Sequence, residues 1–446
     1  MIAIGLLAAG AAMAEDPPAA PGAPASAPTN ASTPSYATPT PLPPIVPSGP
    51  AVAPMNPLVP AASLEAPSPF VLGIRQAFTS DSNLFRAPEG GLVVRDTLSS
   101  TGLHLGVDTL QGRQHINADL QANANRYRHN KQLDNTDYTA AARLDWETVE
   151  RISGEVSAQQ TQSLYRDTIA SVVSTERNQV RTSSAAFQLR VGLVTLWSFE
   201  GGLAASENNY TGPDVDNRDL RQRSANAGVR WRPSDALSTR VAYRRTDGSY
   251  PSFGAEPDDF KRDDIDVITT TDVSGASRLN ARLSATRERH TVQSQRDSNS
   301  WTGALGWHWQ ATGKTGIDVD LSRDNSVGRT GFDSSLINAE ASDARLSQSA
   351  TLSVTWAATS KIQVVPRAGY VRRNLDSGFT TGAGGASVQA TDRTGIVGVG
   401  LRYQPAKSLD LGCDVAREQR GVDGAITLSS PYKVTTAGCS VQFALR

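Results

Sequence analysis

The residues best suited to acid–base chemistry in this sequence are pairs of carboxylates two positions apart. Asp264 and Asp266 form one pair, and Asp318 and Asp320 form another. Two such carboxylates can hydrolyse a glycosidic bond when one of them is buried and keeps its proton. The neighbouring polar positions in both segments carry Arg and other polar groups, so we expect neither pair to contain a buried acid. The sequence therefore predicts no catalytic residues and a protein that is not an enzyme.

The histidines and the charge balance exclude further classes of function. His104, His115, His129, His290 and His308 are scattered singly, as expected for a wet polar surface. The sequence contains no HExxH zinc motif, no GxSxG nucleophile motif and no Gly-rich phosphate loop before a helix. The 43 basic and 44 acidic residues nearly balance, which argues against nucleic-acid binding. We therefore expect no metal, no cofactor and no nucleic-acid partner.

Polar and apolar residues alternate over most of the chain from Phe70 onward. In the segment 116–125, Ile116 and Leu120 share one face with three alanines, and the other face is entirely polar. Successive side chains of a β-strand point to opposite faces, whereas a helix would spread these charges around its circumference. The alternation recurs in segments around Leu144, Phe187, Val241, Leu283, Val319 and Leu411. The pattern predicts an all-β protein with one apolar and one polar face.

The spacing of these segments predicts a transmembrane antiparallel β-barrel of about 18 strands over residues 68–446. About nine hairpins leave roughly 21 residues for each strand and its connection, enough for a tilted spanning strand of about 9–11 residues. Short turns, as at 111–112 and 275–277, alternate with longer polar loops, as at 206–219 and 324–343, which is typical of outer-membrane barrels. Segment 435–445 is expected to pair with the first strand, because hydrocarbon tolerates no free sheet edge. A soluble sandwich or solenoid is the alternative.

Tryptophan placement supports the membrane interpretation. Six of the 7 tryptophans lie within a few residues of a predicted short turn, and Trp301 does not. Interfacial tryptophans mark the headgroup level of a bilayer, so these six predict a girdle at one membrane boundary. The girdle residues are Trp146, Trp197, Trp231, Trp307, Trp309 and Trp356.

In this register, the polar face of the barrel would line its lumen. A barrel of 16–18 strands leaves an aqueous space, and charged residues on its wall influence what passes. A solvated, salt-bridged wall without selectivity is the alternative. The predicted lumen-lining residues are Asp119, Arg143, Asp145, Glu155, Arg190, Arg230, Arg240, Arg282, Asp318, Asp320, Arg367, Asp410 and Asp414.

The N-terminal residues indicate export. Residues 1–14 form a short apolar run that ends in Ala12-Met13-Ala14, a small-x-small cleavage pattern, and predict a signal peptide. Residues 15–67 are dominated by Pro, Ala, Ser and Thr and predict a disordered periplasmic tether, with partner binding as the alternative to a spacer. We therefore expect a Gram-negative outer-membrane protein in contact with outer-membrane lipid.

The 2 cysteines, Cys413 and Cys439, fall on the outward face of the last two predicted strands. A cross-strand disulfide would form if they were directly opposite each other. The expectation from the sequence is two unpaired thiols that face lipid.

Three short segments carry a family resemblance. The segment Thr79–Arg86 follows the first predicted strand and contains Asp81, Asn83, Phe85 and Arg86. Together with Gly112-Arg113-Gln114 and Leu133-Asp134-Asn135, it resembles the EpsL-like outer-membrane proteins of exopolysaccharide operons, within the β-barrel porin type 2 group. The resemblance covers residues 68–150 and implies export of a polysaccharide cargo with periplasmic export partners. From the residues alone, Asp81 and Asn83 are also expected to form an Asx-turn.

The leading hypothesis is therefore an outer-membrane channel for export of a secreted exopolysaccharide. A general or solute-specific uptake porin would share every physical feature described so far. A third hypothesis is an adhesive or structural surface barrel, whose loop aromatics Tyr210, Tyr250, Phe253 and Phe332 would contact an outside partner.

Overall fold

The computed structural model describes residues 69–445 except for nine gaps. The gaps are 149–150, 166–174, 193–195, 212–218, 253–255, 293, 325–343, 377–388 and 425–428. The predicted signal peptide (1–14) and tether (15–67) lie outside the described residues, and so do Phe253 and Phe332.

The described residues form 18 antiparallel strands. Two short 3-10 turns, Lys131–Leu133 and Ser294–Arg296, lie in the connections between them. No helix among these residues is long and apolar enough to cross a bilayer. The strands are β1 (Phe70–Asp81), β2 (Asp96–Gln111), β3 (Gln114–Tyr127), β4 (Asn135–Glu147), β5 (Ile152–Tyr165), β6 (Asn178–Val191), β7 (Trp197–Tyr210), β8 (Leu220–Ser234), β9 (Leu237–Tyr250), β10 (Asp258–Ser274), β11 (Ser277–His290), β12 (Ser298–Thr312), β13 (Thr315–Asp324), β14 (Ala344–Ala357), β15 (Ile362–Asp376), β16 (Gln389–Ala406), β17 (Leu409–Gly424) and β18 (Tyr432–Leu445).

The sheet closes on itself. Each strand pairs with the strands before and after it, and β1 pairs with both β2 and β18. Leu72 lies opposite Leu445 of β18 on one side and opposite Leu105 of β2 on the other. The prediction of an 18-stranded antiparallel barrel whose last strand meets its first is therefore confirmed.

The two faces of the barrel have opposite chemistry. On β3, Leu120 points outward and is 38% exposed, while Asp119 points inward. Large apolar side chains such as Phe199 and Leu203 are 65% and 60% exposed on the outer surface. Apolar residues outside and polar residues inside reverse the usual soluble arrangement and are typical of a barrel in lipid.

The two ends of the barrel differ in the length of their connections. Turns such as Gly112–Arg113, between β2 and β3, have two to five residues, and we call their side the short-turn end. Connections on the opposite side, the long-loop end, have 7 to 19 residues. Gly112 has a positive φ of 65°, which glycine adopts without steric cost and which lets this turn reverse the chain in two residues. The predicted alternation of short turns and long loops is confirmed.

Candidate functional site

All thirteen charged residues predicted for the lumen lie on the inward face of their strands. The structure divides most of them among separate ion-pair groups along the wall instead of gathering them in one site. They are Asp119, Arg143, Asp145, Glu155, Arg190, Arg230, Arg240, Arg282, Asp318, Asp320, Arg367, Asp410 and Asp414.

Three of these arginines share one carboxylate, that of Glu200 on β7. The Nε atoms of Arg190 and Arg230 lie 3.1 and 2.8 Å from its Oε1 atom, and Nε of Arg240 lies 2.9 Å from Oε2. Arg240 also donates to Oδ1 of Asn226 at 2.5 Å. The four charged side chains together carry a net charge of about +2, because arginine stays protonated in proteins. We call them the arginine cluster.

The arginine cluster can offer hydrogen bonds to the lumen. The side chains of Arg190 and Arg230 keep 23% and 20% of their surface exposed, whereas that of Glu200 keeps 3%. A partly exposed guanidinium can bind a carboxylate or phosphate oxygen with charge-assisted hydrogen bonds. Sequence analysis missed Glu200, although it lies inward by the same alternation, because cross-strand register is needed to see that it meets three arginines.

An acidic group lies beside the arginine cluster, on β4 and β5. Nε and Nη2 of Arg143 donate to the two carboxylate oxygens of Asp145 at 2.9 and 2.8 Å, and Nη2 lies 3.3 Å from Glu155. Glu155 faces Gln188 of β6, two residues from Arg190. The inner wall therefore changes sign between adjacent strands.

A second network is buried nearer the long-loop end. Asp264 is fully shielded from solvent and accepts hydrogen bonds from Nε of Arg262 at 3.1 Å and Oγ1 of Thr286 at 2.6 Å. Nη2 of Arg244 lies 3.1 Å from Asp264, and its Nε donates to Asp266 at 3.1 Å. The expectation that this carboxylate pair is not buried is therefore wrong. Each carboxylate is paired with arginine: Asp264 with Arg244 and Arg262, and Asp266 with Arg244.

Arg282, on β11 beside this network, is the least satisfied of the predicted residues. It is 7% exposed, and its Nε and Nη2 atoms find no hydrogen-bond partner among the described residues. A buried guanidinium retains a strong tendency to bind an acceptor, because an unmet charged donor is costly in a low-dielectric environment.

A second part of the inner wall, on β15 and β16, also carries buried ion pairs near the long-loop end. Nε and Nη2 of Arg373 donate to the two oxygens of Asp392 at 3.0 and 2.5 Å, and both residues are almost fully buried. Toward the short-turn end, Arg367 meets Asp414 at 3.0 Å, with both side chains partly exposed. The predicted residue Asp318 keeps 45% of its side chain exposed. Burial on the inner wall therefore rises toward the long-loop end.

Every histidine contacts a carboxylate, which their scattered sequence positions did not predict. The closest ring nitrogens lie 2.5 to 3.3 Å from the carboxylate oxygens. In the described part of the chain, no group of three or more His, Cys, Asp and Glu side chains is arranged to hold a metal ion. The pairs are His104–Asp119, His115–Asp108, His129–Asp96, His290–Asp258 and His308–Asp318.

The motif after β1 folds into a compact loop. Oδ1 of Asp81 accepts a hydrogen bond from the backbone N–H of Asn83 at 2.9 Å, which is the Asx-turn contact expected from the sequence. The amide of Asn83 bonds the backbone N–H and C=O of Ala87, and Arg86 forms a 2.8 Å ion pair with Asp81. Burial alone would lower the pKa of Arg86, but the charge of Asp81 raises it above its usual value. Phe85 packs against the buried apolar cluster that contains Leu84.

Six tryptophans lie on the outward face near the short-turn end, at the predicted girdle positions. Trp197 and Trp231 are direct cross-strand partners with ring centroids 6.3 Å apart, and Trp307 and Trp309 stack at 5.6 Å. Trp146 lies across Gly154, where a Cβ atom would come within 2.4 Å of the indole ring. Trp356 completes the set on β14.

Cys413 and Cys439 are directly opposite each other on β17 and β18 and form a disulfide bond. Both are on the outward face, as predicted. The expectation of unpaired thiols is wrong, because the strand register brings the two Cα atoms to 4.0 Å.

No protein-family model matches the chain, and no curated protein matches its sequence. Its structure is similar to those of several Pseudomonas outer-membrane proteins. OpdK from Pseudomonas aeruginosa has 11% identity and a TM-score of 0.46, over 84% of this chain and 99% of that one. OccK2 (OpdF) from the same organism, solved in complex with glucuronate, has 12% identity and a TM-score of 0.48, over 84% of this chain and 98% of that one. A BenF-like porin from Pseudomonas fluorescens Pf-5 has 12% identity and a TM-score of 0.47, over 84% of this chain and 99% of that one. The closed barrel itself is established by the strand pairing described above.

Proposed function

We propose that the protein is an outer-membrane porin that admits small hydrophilic solutes and favours anions. In this proposal, residues 1–14 direct export and are cleaved, and residues 15–67 are a periplasmic spacer. The observation that carries the proposal is the arginine cluster, in which three arginines share the single carboxylate of Glu200. Its excess positive charge attracts anions into a lumen whose wall otherwise alternates in sign.

The burial gradient on the inner wall favours a small solute. Near the long-loop end, Asp264 and Asp392 are fully shielded from solvent, and Arg262 and Arg373 are 2% and 1% exposed. In a wide open channel, inward side chains at this level would be in contact with water. Covered ion pairs at two separate places on the inner wall therefore support a lumen that narrows toward the long-loop end.

Export of an exopolysaccharide is the second candidate, and the loop with Asp81, Asn83, Phe85 and Arg86 favours it through its resemblance to the EpsL-like proteins. Passage of a polysaccharide chain would require the narrowed end of the lumen to open. A gene deletion distinguishes the two candidates: the export function requires polymer to be synthesised but retained, whereas the porin function leaves surface polysaccharide normal.

The adhesive hypothesis loses part of its basis in the structure. Tyr250 is 2% exposed and packs against Phe260, and Tyr210 packs edge-on against Tyr165. The ring of Tyr250 is therefore not accessible to an outside partner, and that of Tyr210 is partly covered.

Planar-bilayer recording of the purified, folded protein tests the porin function directly. A potassium chloride gradient should give a reversal potential of the sign that indicates preferential chloride passage. In liposome swelling, gluconate should enter faster than a neutral sugar of similar size. A reversal potential at zero or of the opposite sign, or no conductance from folded protein, contradicts the proposal.

A further inference from the structure

Basic side chains surround the outer surface of the barrel near the long-loop end. Among the described strand residues, the outward-facing acidic positions at this end are Glu207, Asp247, Asp259, Asp263 and Asp423. The basic positions are far more numerous, and we call them the outer basic belt. They are Arg126, Arg181, Arg221, Arg223, Arg245, Lys261, Arg287, Arg289, Arg323, Arg372, Arg393, Arg417 and Lys433.

The outer basic belt lies eight to ten positions along the strands from outward-facing aromatic residues near the short-turn end. On β8, eight residues separate Arg223 from Trp231, and on β16, ten residues separate Arg393 from Tyr403. A strand rises about 3.3 Å per residue and tilts by about 40° in such barrels, so these intervals correspond to about 20–25 Å along the barrel axis. The apolar band of an outer-membrane barrel is about 25 Å tall. The belt therefore lies where the far headgroup layer begins.

Several members of the belt face like charges. Arg372 is directly opposite Arg393, and Lys261 is directly opposite Arg289. Like charges at directly opposite positions of an antiparallel pair destabilise it unless an anion neutralises them. Acidic side chains partly neutralise two of these four residues: Asp423 lies 2.9 Å from Arg393, and Asp297 lies 3.7 Å from Arg289. Lys261 also faces Asp247 on its other side, across β9. Among the described residues, Lys261 and Arg372 have no ion-pair or hydrogen-bond partner, and Arg223, Arg287 and Arg417 share this property.

Trp301 independently marks the depth of the belt. It is the tryptophan outside the girdle, it is 54% exposed on the outward face of β12, and the guanidinium carbon of Arg323 lies 4.3 Å from its ring centroid. Tryptophan prefers the membrane–water interface, so the adjacent belt residues are at headgroup depth and not in bulk water. At headgroup depth, the most abundant anions are the phosphate groups of the lipids.

We propose that the outer basic belt binds phosphate groups of anionic lipids in the leaflet at the long-loop end. The pair Arg372/Arg393 is its clearest site, because it places two adjacent positive charges toward one headgroup. The pair Lys261/Arg289 is a second site, with Asp247 and Asp297 beside it. The inference rests on the proposed membrane location but not on solute transport.

Native mass spectrometry of the folded protein in detergent tests this inference, with diphosphorylated lipid A as the probe. Wild-type protein should bind it about tenfold or more tightly than enzymatically dephosphorylated lipid A, since each basic residue near an anionic surface contributes about fivefold. Arg372→Gln/Arg393→Gln and Lys261→Gln/Arg289→Gln should each lose most of this preference, and Arg372→Lys/Arg393→Lys should keep it.

The control Lys314→Gln/Lys361→Gln removes two positive charges from short turns at the opposite end and should leave lipid binding unchanged. Heat-modifiable gel mobility identifies variants that fail to fold, and the Lys-substituted pair then provides the decisive comparison. Equal loss in the control, no phosphate preference in the wild type, or full displacement by equimolar inorganic phosphate overturns the inference. Normal channel conductance with no lipid preference would overturn this inference alone, whereas lipid preference without conductance would overturn only the porin function.

Discussion

The Nε atom of Arg240 lies 2.9 Å from Oε2 of Glu200, and both residues are buried on the inner wall. Arg190 and Arg230 reach the same carboxylate from β6 and β8 and remain partly exposed. One carboxylate thus holds three guanidinium groups at one level of the lumen. The Glu200 carboxylate is buried and holds the three guanidinium groups in place, while the partly exposed side chains of Arg190 and Arg230 face the lumen.

Arg230→Gln is expected to lower the chloride-to-potassium permeability ratio by about twofold or more, because it removes one of the partly exposed charges at this level. Reversal potentials of single channels in a salt gradient measure the ratio. Arg221→Gln is the matched control, since Arg221 lies on the same strand but faces outward with 64% of its side chain exposed. Equal ratios for wild type and Arg230→Gln would mean that the arginine cluster does not influence permeation.

Asp264→Asn is expected to destabilise the folded barrel by about 3–5 kcal/mol, because it leaves the buried charges of Arg262 and Arg244 without their shared partner. Urea unfolding in detergent or lipid measures this change. Asp318→Asn should cost less than about 1 kcal/mol, because the 2.6 Å contact between Asp318 and His308 is about half exposed to solvent. Similar costs for the two variants would show that the network around Asp264 is not shielded from water.

The fold and the inward face were predictable from local alternation, since every second residue of a strand must face the same side. Leu120 and Asp119 illustrate this, because these two adjacent residues of β3 must face opposite sides of the sheet, Leu120 outward and Asp119 inward. The partners of inward charges were not predictable, because they depend on how far each strand is offset from its neighbour. Glu200, Asp264 and the Cys413–Cys439 pair all required that cross-strand register.

Alkylation of the unfolded, unreduced protein is expected to modify neither Cys413 nor Cys439, and prior reduction should expose both. The bond closes a loop with a sequence separation of 26, so a chain-entropy argument predicts that its loss lowers the free energy of unfolding by about 3–4 kcal/mol. Urea unfolding of oxidised and reduced wild-type protein measures this difference without any substitution. Two reactive thiols before reduction would contradict the disulfide.

Asn83→Ala is expected to loosen the loop after β1. Its buried amide makes a donor and an acceptor contact with the backbone of Ala87 at 2.8 and 2.9 Å, and losing both should cost about 2–3 kcal/mol locally. Amide hydrogen exchange at Leu84 and Ala87 should accelerate. Leu92→Ala in the same loop removes a side chain that is 86% exposed and should leave exchange unchanged. Unaltered exchange in Asn83→Ala would show that other contacts hold this loop.

Leu120→Arg and Asp119→Asn test the orientation of the strands in the membrane. Leu120 lies between Ile116 and the belt residue Arg126 on the outward face of β3, near the middle of the apolar band. An arginine at the lipid-facing midplane costs roughly 2–4 kcal/mol in such barrels, so Leu120→Arg should reduce folding into bilayers.

Asp119→Asn changes the adjacent, inward residue. It weakens the 2.5 Å contact of Asp119 with His104 on the inner wall but places no charge in lipid, so this variant should fold as well as the wild type. Heat-modifiable gel mobility after refolding into liposomes measures the folded fraction of both variants. A strand shifted by one residue would invert the result, since the period of two exchanges the faces. Equal folding of both variants would mean that Leu120 does not contact lipid, because only a lipid-facing site makes the arginine costly while its neighbour tolerates a polar change.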